Sequence, residues 1–204
     1  LNNKIIVDSK NHEKLTPKEI IAVSSQVGAS KIALELGYEE LRRNYYNFGF
    51  TKPISINFPS STFGYMNIKE SISDSELASL GYGYGITMSP FQIASAYSVF
   101  ANNGEYKDFQ LLKNEQVTSR KIISNYAASN VLDALRKVVK DGTGKAAEIR
   151  GFSEGGKTGT VHKIKKGTGY VEDLYRASFI GITPLSDKSL TIFVSIDEPG
   201  LNSY

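Results

Sequence analysis

The apolar positions of this chain fall into two regimes. Up to about residue 150 they recur at helical spacing; beyond it they gather in short β-branched and aromatic runs. Thr16-Pro17-Lys18-Glu19 is the first strong helix start. Thr16 can cap, Pro17 suits the first helical position, and Glu19 completes a capping box. Ile20, Ile21 and Val23 supply the apolar face, and Ser24-Ser25-Gln26 interrupts it. The pattern resumes over Gly28 to Leu36 and stops at Gly37, a residue suited to helix ends. Tyr38 to Phe48 predicts a further helix with Leu41, Tyr45 and Phe48 on one side. Ser89-Pro90 opens another, with Ile93, Ala94, Tyr97, Phe100 and Ala101 at helical spacing and Asn102-Asn103-Gly104 as its end. Ser124 is the expected cap of one more, running through Val131, Leu132, Leu135, Val138 and Val139 to Asp141-Gly142. Ile5-Ile6-Val7 predicts a short strand, and Thr51 to Ile72 reads as loops around Pro53, Pro59 and Gly64.

After Gly151 the period changes. Ala177 to Thr183 and Leu190 to Ile196 read as strands joined by the turn Pro184-Leu185-Ser186-Asp187-Lys188, hence a hairpin. Lys157 to Ile164 is a third strand. The order predicts an α+β fold, with an antiparallel sheet and flanking helices, rather than a repeated βαβ alternation. The expected organisation is one unit over residues 1–204, mainly helical over 1–150 and sheet over 151–204.

Composition narrows the chemistry. The chain has 204 residues, 40% hydrophobic and 22% charged, with a net charge of +3, which suits a globular chain with a sizeable core. Lys163, Lys165 and Lys166 form a basic cluster that reads as a solvated loop. No stacking-aromatic motif of a nucleic-acid module is present, so no nucleic-acid partner is expected. There is no cysteine, which excludes disulfides and thiolate metal sites. The only histidines are His12 and His162, too few for a His-rich metal site or a conventional Ser-His-Asp triad; no metal and no cofactor is expected. No apolar run reaches membrane-spanning length. The chain begins at Leu1 without an initiator Met and reads as a piece of a longer protein.

The residues Gly151 to Thr160 have two incompatible readings. Counted from Gly151, they spell Gly-x-x-x-x-Gly-Lys-Thr, the formal pattern of a phosphate-binding loop and hence of a nucleotide hydrolase. Such a loop needs a strand before it and a helix immediately after, whose free N–H groups face the phosphates. Gly159, Thr160 and Val161 are poor helix starters, and Ala146 to Phe152 has few apolar residues for the strand. The hairpin also argues against a parallel nucleotide-binding sheet. Gly142-Thr143-Gly144-Lys145 is weaker still and reads as a helix-ending turn.

Read instead as an edge strand, Lys157-Thr158-Gly159-Thr160 offers backbone groups to which a peptide can add as another strand. Gly159 permits close approach, Lys157 supplies a cation for a carboxylate, and Thr158 and Thr160 supply hydroxyls. A backbone N–H here can help to form an oxyanion hole. Three other segments strengthen this reading. The block from Gly81 to Ala94, Gly-Tyr-Gly-Tyr-Gly-Ile-Thr-Met-Ser-Pro-Phe-Gln-Ile-Ala, resembles the Gly-x-Gly…Thr/Ser-Pro-x-Gln-Leu-Ala block of class B penicillin-binding proteins. Ser24-Ser25-Gln26-Val27-Gly28 resembles their Ser-x-Asn segment, and Asp197-Glu198-Pro199 their Asn/Asp-x-Pro. The resemblance covers essentially the whole chain and is nearest to the septal, cell-division type.

The resemblance implies the penicillin-binding protein and serine β-lactamase fold, incomplete in this chain. It implies D,D-transpeptidation of peptidoglycan stem peptides ending in D-Ala-D-Ala, through a serine acyl-enzyme, with β-lactam antibiotics as inhibitors and divisome proteins as partners of the parent. The implied location is the periplasmic face of the bacterial inner membrane, anchored by an N-terminal segment absent here. Ser24 matches the proton-relay serine, Gln26 the position that orients a substrate amide, and Lys157, Thr158, Gly159 and Thr160 the substrate-carboxylate and oxyanion strand. The sequence departs from the family in three ways. No serine has Lys three residues later, so the Ser-x-x-Lys nucleophile motif is absent; Gln26 stands where the family has Asn; and the chain ends at Tyr204 before the family's final helix. The expectation is a segment that lacks the helix bearing the nucleophile, retains three of five central strands, exposes apolar sheet edges and faces, and does not acylate alone. The competing readings are a D,D-carboxypeptidase or β-lactamase, which the Gly81–Ala94 block disfavours, and a non-catalytic binding or sensor module built on the same cleft.

Overall fold

The computed structural model describes residues 5–51, 53, 63–66, 68–113, 116–165, 169–185 and 188–200. Helices α1 (Pro17–Val23), α2 (Gln26–Leu36), α3 (Tyr38–Asn47), α4 (Asp74–Gly81) and α5 (Pro90–Ala101) are followed by the short strands β1 (Glu105–Lys107) and β2 (Ser119–Lys121). Then come α6 (Asn125–Lys140), a 3-10 turn at Lys145–Ala147, and the strands β3 (Gly155–Lys165), β4 (Gly169–Thr183) and β5 (Leu190–Asp197).

Local chemistry accounts for most helix starts. Thr16 with Glu19, and Ser89 with Gln92, close capping boxes, each followed by Pro at the first helical position. Ser124 accepts from the Ala127 N–H at the start of α6. The helix α4 lies outside the elements expected from periodicity, although Ser73 and Glu76 close a third capping box. Gly81 ends α4 where a Cβ would meet the Ala33 Cβ of α2 at 2.5 Å, so glycine permits the close packing of α4 on α2. The strand expected at Ile5–Val7 does not form: Ile5 and Val7 are 85% and 69% exposed, and no strand among the described residues pairs with them. Three β-branched residues without a neighbouring strand leave their backbone groups to solvent. Half of the Thr51–Ile72 segment lies outside the described residues, and its Met66 pairs with Ile86 in an isolated antiparallel bridge.

The core centres on α6. Its Leu135, Val138 and Val139 are buried, as are Ala22 of α1, Val99 of α5 and Ile180 and Ile182 of β4. Helices α1 and α5 pack on α6, which in turn packs on β3. Each fully buried aliphatic side chain stabilises this arrangement by about 1.5–3 kcal/mol. One polar side chain is enclosed with them. Gln92, 1% exposed, accepts from the N–H groups of Gly64 (2.6 Å) and Ser89 (2.9 Å) and donates to the carbonyls of Gly49 (3.3 Å) and Phe50 (3.2 Å). Its polar atoms are satisfied, so it ties α5 to the turn after α3 rather than destabilising the core.

The expected hairpin is present, within an antiparallel sheet of order β3-β4-β5. Lys157 lies opposite Ile180, Thr158 opposite Phe179, and Phe179 opposite Val194. Alternation puts Gly155, Lys157 and Gly159 on the face that carries buried Ile182 and Ile180. It puts Gly156, Thr158 and Thr160 on the opposite face with Gly181, Phe179 and Ala177. This excludes the phosphate-loop reading: the residues after Lys157-Thr158 continue as strand, the preceding segment is a 3-10 turn and coil, and the sheet is antiparallel. The basic cluster is also not the solvated loop expected. Lys163 stands in β3 and pairs with Asp197 (2.9 Å) and Glu198 (2.6 Å), Lys165 is in the same strand, and Lys166 lies outside the described residues.

Candidate active site

Two chain segments far apart in sequence meet at the end of α1. Helix α1 stops at Ser24, whose backbone is left-handed with φ 58° and ψ 45°, and Ser25 then caps α2 by accepting from the Gly28 N–H at 2.9 Å. A left-handed serine is about 1–2 kcal/mol less favourable than a right-handed one, so packing and hydrogen bonds must hold it. The resulting break turns Ser24 out of the helix. The Lys157 ammonium donates to the Ser24 Oγ at 2.8 Å and to the Thr158 carbonyl at 3.0 Å. Gln26 opens α2 with its side chain exposed.

Lys157 is half-buried, and no carboxylate pairs with it among the described residues. Burial pushes its ammonium down to about 8. A half-buried cation without a carboxylate partner, beside a hydroxyl it can share a proton with, suits both anion recognition and proton transfer.

The rest of the strand is set by packing. At Gly155 a Cβ would sit 3.0 Å from the Arg136 nitrogen of α6, and at Gly156 it would sit 2.3 Å from the Phe179 ring. The paired glycines therefore let β3 lie against α6 and the neighbouring ring. At Gly159 a Cβ would meet the Ser178 Oγ at 2.8 Å, beside Lys157 on the same face. Thr158 faces the other way, and its hydroxyl shares a 2.7 Å hydrogen bond with the Thr143 hydroxyl. Thr160 is exposed on the face of Thr158. The site thus brings Ser24 and Lys157 into contact and distributes Thr158 and Thr160 on the opposite side of the strand.

Three supporting groups carry no motif that sequence reading could isolate. Thr143, in the turn after α6, donates its N–H to the Ala22 carbonyl at 3.2 Å while its hydroxyl holds Thr158, so one residue joins α1 to β3. The Arg136 guanidinium donates to the Glu154 carbonyl (2.9 Å) and carboxylate (2.6 Å), fixing the start of β3 on α6. Glu154 is 5% exposed, which makes this a buried ion pair. Asp8 accepts from the Ser25 hydroxyl at 2.6 Å and from the Val27 N–H at 3.0 Å. In the Gly81–Ala94 block, Gly83 and Gly85 take positive φ and Tyr82 packs edge-on against Tyr84, consistent with a turn leading into α5.

The family described as the penicillin-binding protein transpeptidase domain matches residues 2–204. The chain belongs to this family. It is 34% identical over 206 residues to a probable peptidoglycan D,D-transpeptidase PbpC of Pseudomonas aeruginosa, covering 100% of this chain and 36% of that protein. It is 32% identical over 201 residues to the peptidoglycan D,D-transpeptidase FtsI of Buchnera aphidicola, covering 98% of this chain and 35% of that protein. The fold superposes on the transpeptidase domain of Burkholderia pseudomallei penicillin-binding protein 3 with a TM-score of 0.87 and 34% identity, over 95% of this chain and 60% of that one. These likenesses bear out the class B, septal-type resemblance and the penicillin-binding protein fold expected from the motifs. The chain spans about a third of the length of these curated relatives. Among the described residues, no helix is long and apolar enough to cross a membrane, and no cluster of His, Asp or Glu side chains could hold a metal ion.

Proposed function

We propose that this chain is part of a single transpeptidase domain and supplies the substrate-binding half of its active site, in a protein that cross-links peptidoglycan stem peptides. The observation that carries the reading is the contact between the Lys157 ammonium and the Ser24 hydroxyl at the mouth of an antiparallel sheet edge. A serine outside these residues, within a Ser-x-x-Lys motif, attacks the carbonyl of the D-Ala-D-Ala peptide bond. A new C–O ester bond forms, the C–N bond breaks, and the serine proton reaches the departing D-Ala amine through Ser24 and the adjacent lysines. The amine of a second stem peptide then attacks the ester, forming the cross-linking amide and regenerating the serine. Lys157 attracts the terminal carboxylate, the β3 edge receives the peptide as an added strand, and Gln26 orients its amide. Thr158, Gly159 and Thr160 complete the carboxylate and oxyanion strand. β-Lactams acylate the same serine. Septal wall synthesis with divisome proteins, on the periplasmic face of the inner membrane and anchored by a segment outside this chain, is the setting this reading implies.

The test is a product analysis on the longer protein that carries this chain, given a D-Ala-D-Ala-terminated peptide and an acceptor amine. The expected product is the new amide together with free D-Ala. Free acid alone would favour a carboxypeptidase, and no turnover would favour a sensor module.

A further inference from the structure

The left-handed turn at Ser24 is held from a part of the chain that belongs to no helix or strand. Asp8 lies in the irregular segment before α1 and is the only member of residues 5–12 that hydrogen-bonds to the helices among the described residues. Its two carboxylate oxygens do different work. Oδ2 accepts from the Ser25 hydroxyl at 2.6 Å, and Oδ1 accepts from the Val27 N–H at 3.0 Å. The Ser25 Oγ in turn accepts from the Gly28 N–H at 2.9 Å, and Ser25 is buried. The carboxylate therefore fixes both the hydroxyl that caps α2 and the first turn of α2, where its negative charge also complements the helix dipole. Ser24 sits between this clamp and the end of α1, with the backbone N–H of Ser24 bonded to the Ile21 carbonyl at 3.3 Å and that of Ser25 to the Ile20 carbonyl at 2.9 Å. Both flanks of the left-handed Ser24 are thus tied, and its hydroxyl lies 2.8 Å from the Lys157 ammonium. Partial burial pushes the Asp8 carboxyl up, but the hydrogen bonds from Ser25, Val27 and Gln26 outweigh it and hold the group below its ordinary value, ionised at neutral pH.

We propose that Asp8 is a positioning residue for acyl transfer: by clamping Ser25 and the first turn of α2, its carboxylate aims the Ser24 hydroxyl at Lys157. This rests on the transpeptidase reading above. It separates two consequences of losing the clamp. Noncovalent capture of a ligand carboxylate depends on the charge of Lys157 and survives. Proton relay through Ser24 depends on hydroxyl direction and does not.

The test uses the longer protein and stopped-flow acylation by a chromogenic cephalosporin, which resolves the dissociation constant of the first complex from the acylation rate constant. Asp8→Ala is expected to lower the rate constant about tenfold, with the dissociation constant changed less than about threefold. Asp8→Asn retains an acceptor for Val27 and is expected to fall between Asp8→Ala and wild type. Ser25→Ala combined with Asp8→Ala is expected to slow acylation by less than the product of the two single effects, because the variants share the Asp8–Ser25 hydrogen bond while each also loses a contact of its own; a full product would overturn the shared clamp. Ser124→Ala, which removes the cap of α6 away from the site, is expected to leave the rate constant unchanged. The burst amplitude reports the folded fraction in each case. Rate constants within twofold of wild type in both Asp8 variants overturn the proposal. If Asp8→Ala does not fold, Asp8→Asn decides by the same criterion; failure of both to fold assigns Asp8 a structural role and also overturns it. Wild-type protein that is never acylated overturns the transpeptidase reading and, with it, this inference.

Discussion

β3 and β5 are the two outer strands of one antiparallel sheet, and their surroundings are opposite. The start of β3 is docked on α6 through the buried Arg136–Glu154 pair, its glycines admit α6 and Phe179, and its Thr158 is tied to the turn after α6. β5 instead carries Leu190, Ile192, Val194 and Ile196 at 63%, 49%, 50% and 56% exposure along one face. Such a stripe has the composition of a buried strand but is not covered by the described residues. The start of β3 is thus docked on the chain's own helix α6, whereas the apolar stripe of β5, on the sheet face shared with Thr158 and Thr160, is left open. This matches the expectation of exposed apolar sheet surface.

The comparison can be broken most severely at the α6 dock. Arg136→Met leaves the Glu154 carboxylate buried without its partner, and it is expected to lower stability by about 3 kcal/mol, read by urea unfolding of the longer protein. Little change would mean that the start of β3 does not depend on α6. Next is Lys157→Ala, expected to slow acylation by a carboxylate-bearing penicillin about 100-fold, equivalent to about 2.7 kcal/mol, without a comparable loss of stability.

The same lysine gives a pH signature. Folded, it titrates near 8; unfolded, it returns toward 10.5, so between those values the unfolded chain holds more protons. Stability attributable to Lys157 therefore rises as pH climbs from about 8 toward 10.5, and this rise should vanish in Lys157→Ala. Denaturant melts across that range check it. A smaller effect is expected from Thr143→Val, which removes the hydroxyl partner of Thr158: about 1 kcal/mol of stability, with side-chain NMR showing a mobile Thr158. The smallest is on β5. Ile192→Thr and Val194→Thr should each change the stability of the 204-residue chain by less than about 0.5 kcal/mol, because half of each side chain already faces solvent.

What could be read in the sequence was local or motif-borne. Thr16 with Glu19, and Ser89-Pro90 with Gln92, place their helices because capping chemistry spans only four residues. The hairpin follows from two β-branched runs and a turn. The same Ser-x-x-Glu signal at Ser73 and Glu76 stood before α4, but without a long apolar repeat it did not stand out from its polar surroundings. Ile5-Ile6-Val7 shows the reverse error: β propensity without a neighbouring strand makes no sheet. In the site, Lys157 is legible from the chemistry of its strand and Ser24 only through the family resemblance, whereas their contact, across 133 residues, is a tertiary fact. Asp8, Thr143 and Arg136 were not legible because their roles depend on what packing brings next to them.

The central claim is that residues 1–204 hold the substrate side of an acyl-transfer site whose nucleophile lies elsewhere in the protein. Peptide mapping after labelling with fluorescent penicillin tests it directly. The account predicts a single adduct in the longer protein, on a serine outside residues 1–204, and no adduct on the 204-residue chain alone. An adduct on Ser24, or on any other serine of this chain, would contradict it.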